Sequence, residues 1–389
     1  MTQLDKDLKD CGVITISLAP PSASDLQRKI DPYIIGQQEA KDTLCTAVAL
    51  HLQRRLMRLG CPNLEGITPN VLIWGPTGCG KTAIISRLAA LTDLPMLIVN
   101  VPELVPSGAS HGRTLFEVLF DLYLKANRDL KRAEAGIIVL DEFDKAAARG
   151  NKSTGNAQYI YSLQNELLKF TDGGLYKCEG TDERGKPMTV TINTSGILFI
   201  ALGAFDGLEP EMKKGGNVGF TNNSAENLSA DEKSDDRTLL DAMVEYGLKR
   251  ELLGRLPLRC KVNALTDDDY RRILTESESS PLLAVERFFS FRNNSLLLSN
   301  DALSFLIKKV AQSGIGARAL KSVLYGELQK LFSLHTERND TIFEVDERFL
   351  QTKNLDDVVM RKCSSDEIQC SEVFSDCHKV LKKTWDREA

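Results

Sequence analysis

Apolar and polar positions along this 389-residue chain follow two periods. From Asp25 to Leu59 apolar residues recur at helical spacing, as in Leu44, Val48, Leu52 and Leu56. Val71-Leu72-Ile73-Trp74, entered from Asn70, is apolar at every position and stops at a glycine-rich turn. That pattern predicts a strand covered on both faces. Lys81 to Leu91 reads as a helix, Pro95 to Val99 as a second strand, and Gly112 to Leu130 as one long helix. Gly136-Ile137-Ile138-Val139-Leu140 is a third strand, too apolar to face water on either side. Residues 158–170 carry Leu163, Leu167 and Leu168 on one helical face, and Ile197 to Ala201 is a fourth strand. Short apolar strands alternating with helices predict an α/β fold with a covered parallel sheet.

The pattern changes twice after that. Residues 206–238 hold Gly215-Gly216, Asn222-Asn223 and the charged run from Asp231 to Asp236, too polar to pack, and read as a long mobile loop. Residues 264–335 are mostly helical, with a strand-like Thr341 to Val345. The expected organisation is a flexible arm over 1–24, a large domain over 25–263, a small helical domain over 264–350 and a weakly patterned extension over 351–389.

Composition narrows the classes. The chain is 42% apolar and 26% charged, which excludes wholesale disorder. A net charge of −5 argues against a generally basic nucleic-acid coat. The longest strongly apolar run, Ile197 to Phe205, is less than half of the about twenty residues that a membrane-spanning helix needs. Met1 to Asp10 is polar and lacks the apolar core of a signal peptide, so a cytoplasmic location is expected. The nine cysteines include no Cys-x-x-Cys pair and read as reduced thiols.

The chemistry begins at the turn after the first strand. Gly75-Pro76-Thr77-Gly78-Cys79-Gly80-Lys81-Thr82 fits the phosphate-loop pattern, lying between a strand and a helix as that motif requires. Successive backbone N–H groups can curl around an anion, and the helix start adds partial positive charge. Lys81 can reach the β- and γ-phosphates, and Thr82 can ligate Mg2+. About sixty residues on, the third strand ends in Asp141-Glu142. Asp141 would help hold Mg2+, and Glu142 would polarise the attacking water as general base. No Asn-Lys-x-Asp segment for reading guanine is evident, so ATP is the expected nucleotide.

With these residues in hand, the stretch from about Pro20 to Val345 resembles the AAA+ ATPases of the ClpX type, the Clp/HslU-like protein unfoldases. Asp31 to Gln37, with Ile34 and Ile35 at its centre, is similar to that family's adenine-pocket segment. Gly136 to Lys145 resembles its extended Walker B, and Leu198-Phe199-Ile200 with Gly203-Ala204-Phe205 its sensor-1 strand. Gly247 to Pro257 resembles the segment bearing the trans-acting arginine, which falls on Arg255, and Gly316-Ala317-Arg318 resembles sensor 2. The resemblance implies a P-loop large domain with a small helical lid, ATP and Mg2+ as ligands, and a homohexameric ring. It implies that Arg255 reaches the neighbouring subunit's γ-phosphate and that Arg318 touches the phosphates from the small domain.

Other family features are altered. The first pore loop, Gly-Tyr-Val-Gly in the family, matches Gly108-Ala109-Ser110-His111-Gly112, which lacks the aromatic grip. The second, Arg-Lys-His in the family, matches Arg184-Gly185-Lys186-Pro187, equally readable as a solvated hairpin. The peptidase-docking Ile-Gly-Phe tip matches Val218-Gly219-Phe220, pointing to a ClpP-like partner unless that Phe folds back on its own domain. A counterpart of the family's N-terminal four-cysteine zinc domain is not expected within this sequence, where only Cys11 precedes Cys45. Cys363, Cys370 and Cys377 recur every seven residues along one helical face, which suits packing better than a metal. The expected function is an ATP-dependent unfoldase acting on protein substrates, with a ring ATPase that remodels one partner without threading as the alternative; a DNA-acting ATPase is disfavoured.

Overall fold

A computed structural model describes residues 20–60, 67–107, 112–148, 155–181, 185–208 and 239–362; the pore-loop residues 108–111, the polar stretch from 209 to 238 and the three heptad-spaced cysteines lie outside the described residues. The large unit is organised by a five-stranded parallel sheet in the order β2-β3-β6-β1-β7. Its strands are β1 (Val71–Trp74), β2 (Met96–Asn100), β3 (Ile137–Asp141), β6 (Leu198–Gly203) and β7 (Leu258–Lys261). β1, β3 and β6 are buried along almost their whole length, which explains their continuous apolar runs.

Side chains still alternate within those runs. Leu72, Ile138, Leu140, Phe199 and Ala201 enter one core, and Val71, Ile73, Ile137, Val139, Leu198 and Ile200 enter the other. The second core is covered by α1 (Ala23–Ile30), α2 (Gln38–Gly60) and α3 (Lys81–Thr92). The first is covered by α4 (Leu115–Lys125), α6 (Gly155–Asp172) and the segment leading to α7 (Arg250–Gly254). Capping boxes start two of these helices: Ser22 with Asp25, and Thr114 with Glu117.

The long helix expected over Gly112–Leu130 is interrupted. α4 ends at Lys125, Asn127 and Arg128 take left-handed backbone, and Asp129 caps the short α5 (Leu130–Ala133). The apolar period continues through this break, so periodicity alone could not register it. Between α6 and β6, the antiparallel strands β4 (Leu175–Thr181) and β5 (Pro187–Asn193) form a hairpin.

The small unit gathers α8 (Asp267–Thr275), α9 (Pro281–Ser290), α10 (Asn300–Gln312), α11 (Arg318–Glu337) and α12 (Glu347–Thr352) around its own core. It is not purely helical. β8 (Ser295–Leu298) runs parallel to β9 (Thr341–Val345), and β10 (Val359–Lys362) pairs antiparallel with β9. Val358 is buried in the same core with Met360 packed against it, so this unit continues past the boundary expected at 350. At the expected boundary near 263, the Gln37 amide donates to the Asn263 carbonyl at 2.7 Å, and the Asn263 N–H donates back at 3.0 Å. Among the described residues no helix is long and apolar enough to cross a membrane.

Candidate nucleotide site

The parallel sheet brings the ends of β1, β3 and β6 to one edge. Trp74 is paired with Gly203, and Asp141 with Asn100. The Gly75 N–H, at the start of the phosphate loop, donates to the Gly203 carbonyl at 3.2 Å. This is the crevice beyond the strand ends where ligands of open α/β sheets bind. A cavity of about 530 Å3 opens there. Its lining brings together Thr77, Gly78, Gly80, Lys81 and Thr82 from the loop, Asp141 at the end of β3, Glu142 just past it, and Arg318 from the small unit.

α3 starts at Lys81 behind Gly80, whose backbone is left-handed and whose position supplies no side-chain cap. The first N–H groups of that helix are therefore left for an anion. The Lys81 ammonium donates to the Gly75 and Pro76 carbonyls at 2.6 and 2.8 Å. Burial holds it below the usual lysine range, an effect that nearby Arg318 reinforces and Asp141 opposes. A half-buried cation in a pocket of backbone donors suits phosphate oxygens.

Glu142 occupies left-handed backbone, uncommon for a side chain of its size, and its N–H donates to Asp141 Oδ1 at 2.9 Å. The turn thus leaves both carboxylate residues on the wall of one cavity. A hydroxyl from Thr82 and a carboxylate from Asp141 on one cavity wall form an oxygen set that fits a hard divalent cation.

The small unit seals the loop directly. The Ala317 N–H donates to the Gly78 carbonyl at 2.9 Å. A Cβ on Gly78 would lie 2.2 Å from the Ile315 carbonyl oxygen, so only glycine permits this approach. Arg318 is the first residue of α11, immediately after this contact.

The profile of the ATPase family associated with various cellular activities (AAA) matches residues 71–213. The chain is 35% identical over 313 residues to the ATP-dependent Clp protease ATP-binding subunit ClpX of Borrelia duttonii (strain Ly), covering 78% of this chain and 72% of that protein. It is 32% identical over 330 residues to the same-named protein of Treponema denticola, covering 82% and 78%. With the protein of that name from Porphyromonas gingivalis it shares 28% over 348 residues, covering 87% and 84%. The chain belongs to the ClpX-type AAA+ ATPases. It is a nucleotide-binding enzyme that hydrolyses ATP, in a family of ATP-dependent unfoldases.

Of the expected loop residues, Gly75, Pro76 and Cys79 do not line this ATPase's cavity. The first two hold the Lys81 ammonium by their carbonyls, and Cys79 is buried. Two further groups of expected site residues stand apart from the cavity. Ile34 and Ile35 do not line it; Ile34 packs against the core beneath the sheet, and its carbonyl accepts from Lys41 at 3.3 Å. Their segment is tied to the small unit instead: the Glu278 N–H donates to the Pro32 carbonyl, and Ser277 and Ser279 donate to that of Tyr33. Arg255 caps the end of α7, is 54% exposed at its side chain, and pairs with Asp172.

The expectations also missed a residue. Asp144 lines the cavity with its carboxylate only 3% exposed, paired to Lys145 at 3.0 Å and accepting the Ala204 N–H at 3.1 Å. It fastens the turn after the acidic pair to the end of β6. Its signal was in view, since Asp144 stands in the same acidic run as Asp141 and Glu142. Burial of Cys45, Cys178 and Cys260 pushes their thiols up to about 12, about 11 and about 12, which makes them packing groups at neutral pH.

Proposed function

We propose that this ClpX-type ATPase works as a ring, by family resemblance a homohexamer, that uses ATP to unfold and move protein substrates. The observation that carries the reading is the cavity itself, where a phosphate loop, an acidic pair and a small-unit arginine meet from segments far apart in the chain. Lys81 and the N–H groups at the start of α3 bind the β- and γ-phosphates. Thr82 and Asp141 would hold Mg2+, which would supply positive charge to neutralise the phosphates. Glu142 takes the proton from the attacking water. Arg318 reads the phosphates from the small unit and passes the change to that unit's angle. Arg255, outside its own cavity, serves the neighbour's.

The ClpX-named relatives favour the unfoldase over a non-threading remodeller. Docking of a ClpP-like peptidase through Val218, Gly219 and Phe220, and a cytoplasmic location, complete the reading. The test is ATP-dependent loss of fluorescence from a tagged folded protein, with and without peptidase, beside a pull-down with the Glu142→Gln ring. That ring should hold ATP and its client. A protein that hydrolyses ATP yet leaves every folded substrate intact, while its trap captures one constant partner, would return the remodeller reading.

A further inference from the structure

Two buried side-chain amides grip the segment that presents Arg255, and neither lines the nucleotide cavity. Gln164, in α6, is 0% exposed. Its amide nitrogen donates to the Ala146 carbonyl at 2.6 Å and to the Gly247 carbonyl at 3.0 Å. Its oxygen accepts the Lys249 N–H at 2.8 Å. Asn70, at the entrance to β1, is also 0% exposed. It donates to the Arg255 carbonyl at 3.1 Å and accepts the Phe199 N–H at 3.0 Å.

The first amide thus holds the lead-in to α7 and the second holds the residue that ends it. Between them lies a helix of five residues, too short to keep its own orientation. Gln164 gives two N–H donors and one acceptor to backbone partners, a set that a carboxylate, a hydroxyl or an apolar side chain cannot supply, and Asn70 gives one of each, which an ionised carboxylate or an apolar side chain cannot. Buried amides bonded to backbone partners favour a single arrangement, because a shift strands a polar group away from water. A third tie lies on the same helix as Gln164, where Asp172 pairs with the Arg255 guanidinium.

Gln164 has a second consequence. Ala146 closes the turn that begins at Glu142, and the Ala148 N–H also reaches the Gly247 carbonyl, at 3.1 Å. The turn beside a subunit's own acidic pair is therefore bonded to the base of its own arginine segment.

We propose that Gln164 and Asn70 are positioning residues for Arg255, and that Gln164 ties the aim of that arginine to the turn beside the subunit's own nucleotide. The inference rests on the reading of Arg255 as a group lent to the neighbouring subunit. A reactive group displaced by about 1 Å can lose on the order of 10²-fold in rate, so a loosened frame should be visible in hydrolysis.

Mixed rings separate this role from general damage. Lys81→Ala subunits bind no nucleotide but lend an arginine; Arg255→Ala subunits bind nucleotide but lend none. Their mixture should hydrolyse ATP at sites where the first kind serves the second. Adding Gln164→Met to the Lys81→Ala subunits should lower that activity at least about tenfold, while adding it to the Arg255→Ala subunits should change it by no more than about twofold. The asymmetry is expected because the receiving turn keeps its other anchors, Asp144 on the Ala204 N–H and the fully buried Phe143. Asn70→Asp, which keeps the acceptor for Phe199 and loses the donor to Arg255, should reproduce the loss when placed in the lending subunit and decides the matter if Gln164→Met fails to assemble. Equal losses in both placements, or none in the lending subunit, would overturn the proposal. A mixture with both amides intact that assembles but stays no more active than its parents would instead overturn the lending of Arg255 itself.

Discussion

The phosphate-loop edge and the arginine segment are built on different plans. Lys81, Asp141 and Glu142 lie at or just beyond buried strands whose backbone is bonded on both sides in the sheet. Their positions follow from local chain geometry: strand, tight loop, helix start. Arg255 ends a five-residue helix, projects an exposed side chain, and owes its place to amides from Gln164 and Asn70. A group that acts within its own subunit can rest on the sheet. A group that is to reach across a boundary has to stand on the surface, so its backbone must be fixed from behind.

The strongest way to break this contrast is Arg255→Ala. Hydrolysis should fall about 10³-fold or more, the scale of arginine fingers in GTPases, while ATP affinity stays near wild type by equilibrium titration. A matching loss of affinity would put Arg255 in its own subunit's site. Glu142→Gln should lower turnover by about 10²- to 10⁴-fold with binding retained. Near-normal turnover in that variant would remove Glu142 as the base.

Lys81→Ala acts on binding instead. Loss of the loop's cation, with charge-assisted contacts worth about 1.5–3 kcal/mol each, should leave no ATP binding detectable by calorimetry. Gly78→Ala sharpens the contact between the units. The left-handed backbone alone costs about 1–2 kcal/mol, and the new Cβ would also strike the Ile315 carbonyl oxygen. Gly80→Ala is the control, because it pays only for backbone: nothing lies within 4 Å of a Cβ there. Urea denaturation should rank Gly78→Ala below Gly80→Ala, and equal midpoints would mean the small unit does not press on the loop.

The smallest effect concerns pH and the small unit. His335 stacks on Phe289 with ring centroids 4.4 Å apart, and Asn294 donates to its Nδ1 at 2.8 Å. Burial holds its pKa below 6.5, with the Arg292 charge acting the same way. The unfolded chain therefore takes up the proton first. Stability from this site is complete above about pH 6.5 and is lost as pH falls through 6.5 toward the lower folded value. The slope difference between wild type and His335→Phe should not exceed about 1.4 kcal/mol per pH unit, the limit for one proton. Identical slopes between pH 7.5 and 5.5 would show that His335 does not titrate on unfolding.

Several features are legible in the sequence. Val71–Trp74 and Ile137–Leu140 are apolar at every position because both faces are covered, and that pattern survives in one dimension. The phosphate loop and the acidic pair are each contiguous, so their chemistry can be read from neighbouring letters. Ser295–Leu298 was not legible: a short apolar run fits a strand or a helix turn until Thr341–Val345 pairs with it. Gln164 gave no signal at all, since a polar residue in an amphipathic helix reads as surface.

What the sequence determined by itself is what proximity along the chain can encode: buried strands, a strand–loop–helix that can hold phosphate, and two carboxylates at a strand's end. Tertiary structure alone decided which distant groups share a space. Arg318 reaches the cavity only because the turn before α11 packs on Gly78, and Asn70 holds Arg255 although 185 residues separate them. The physical reason is that a hydrogen bond is set by distance and direction in space. Residue spacing reports these only within one helix, strand or turn.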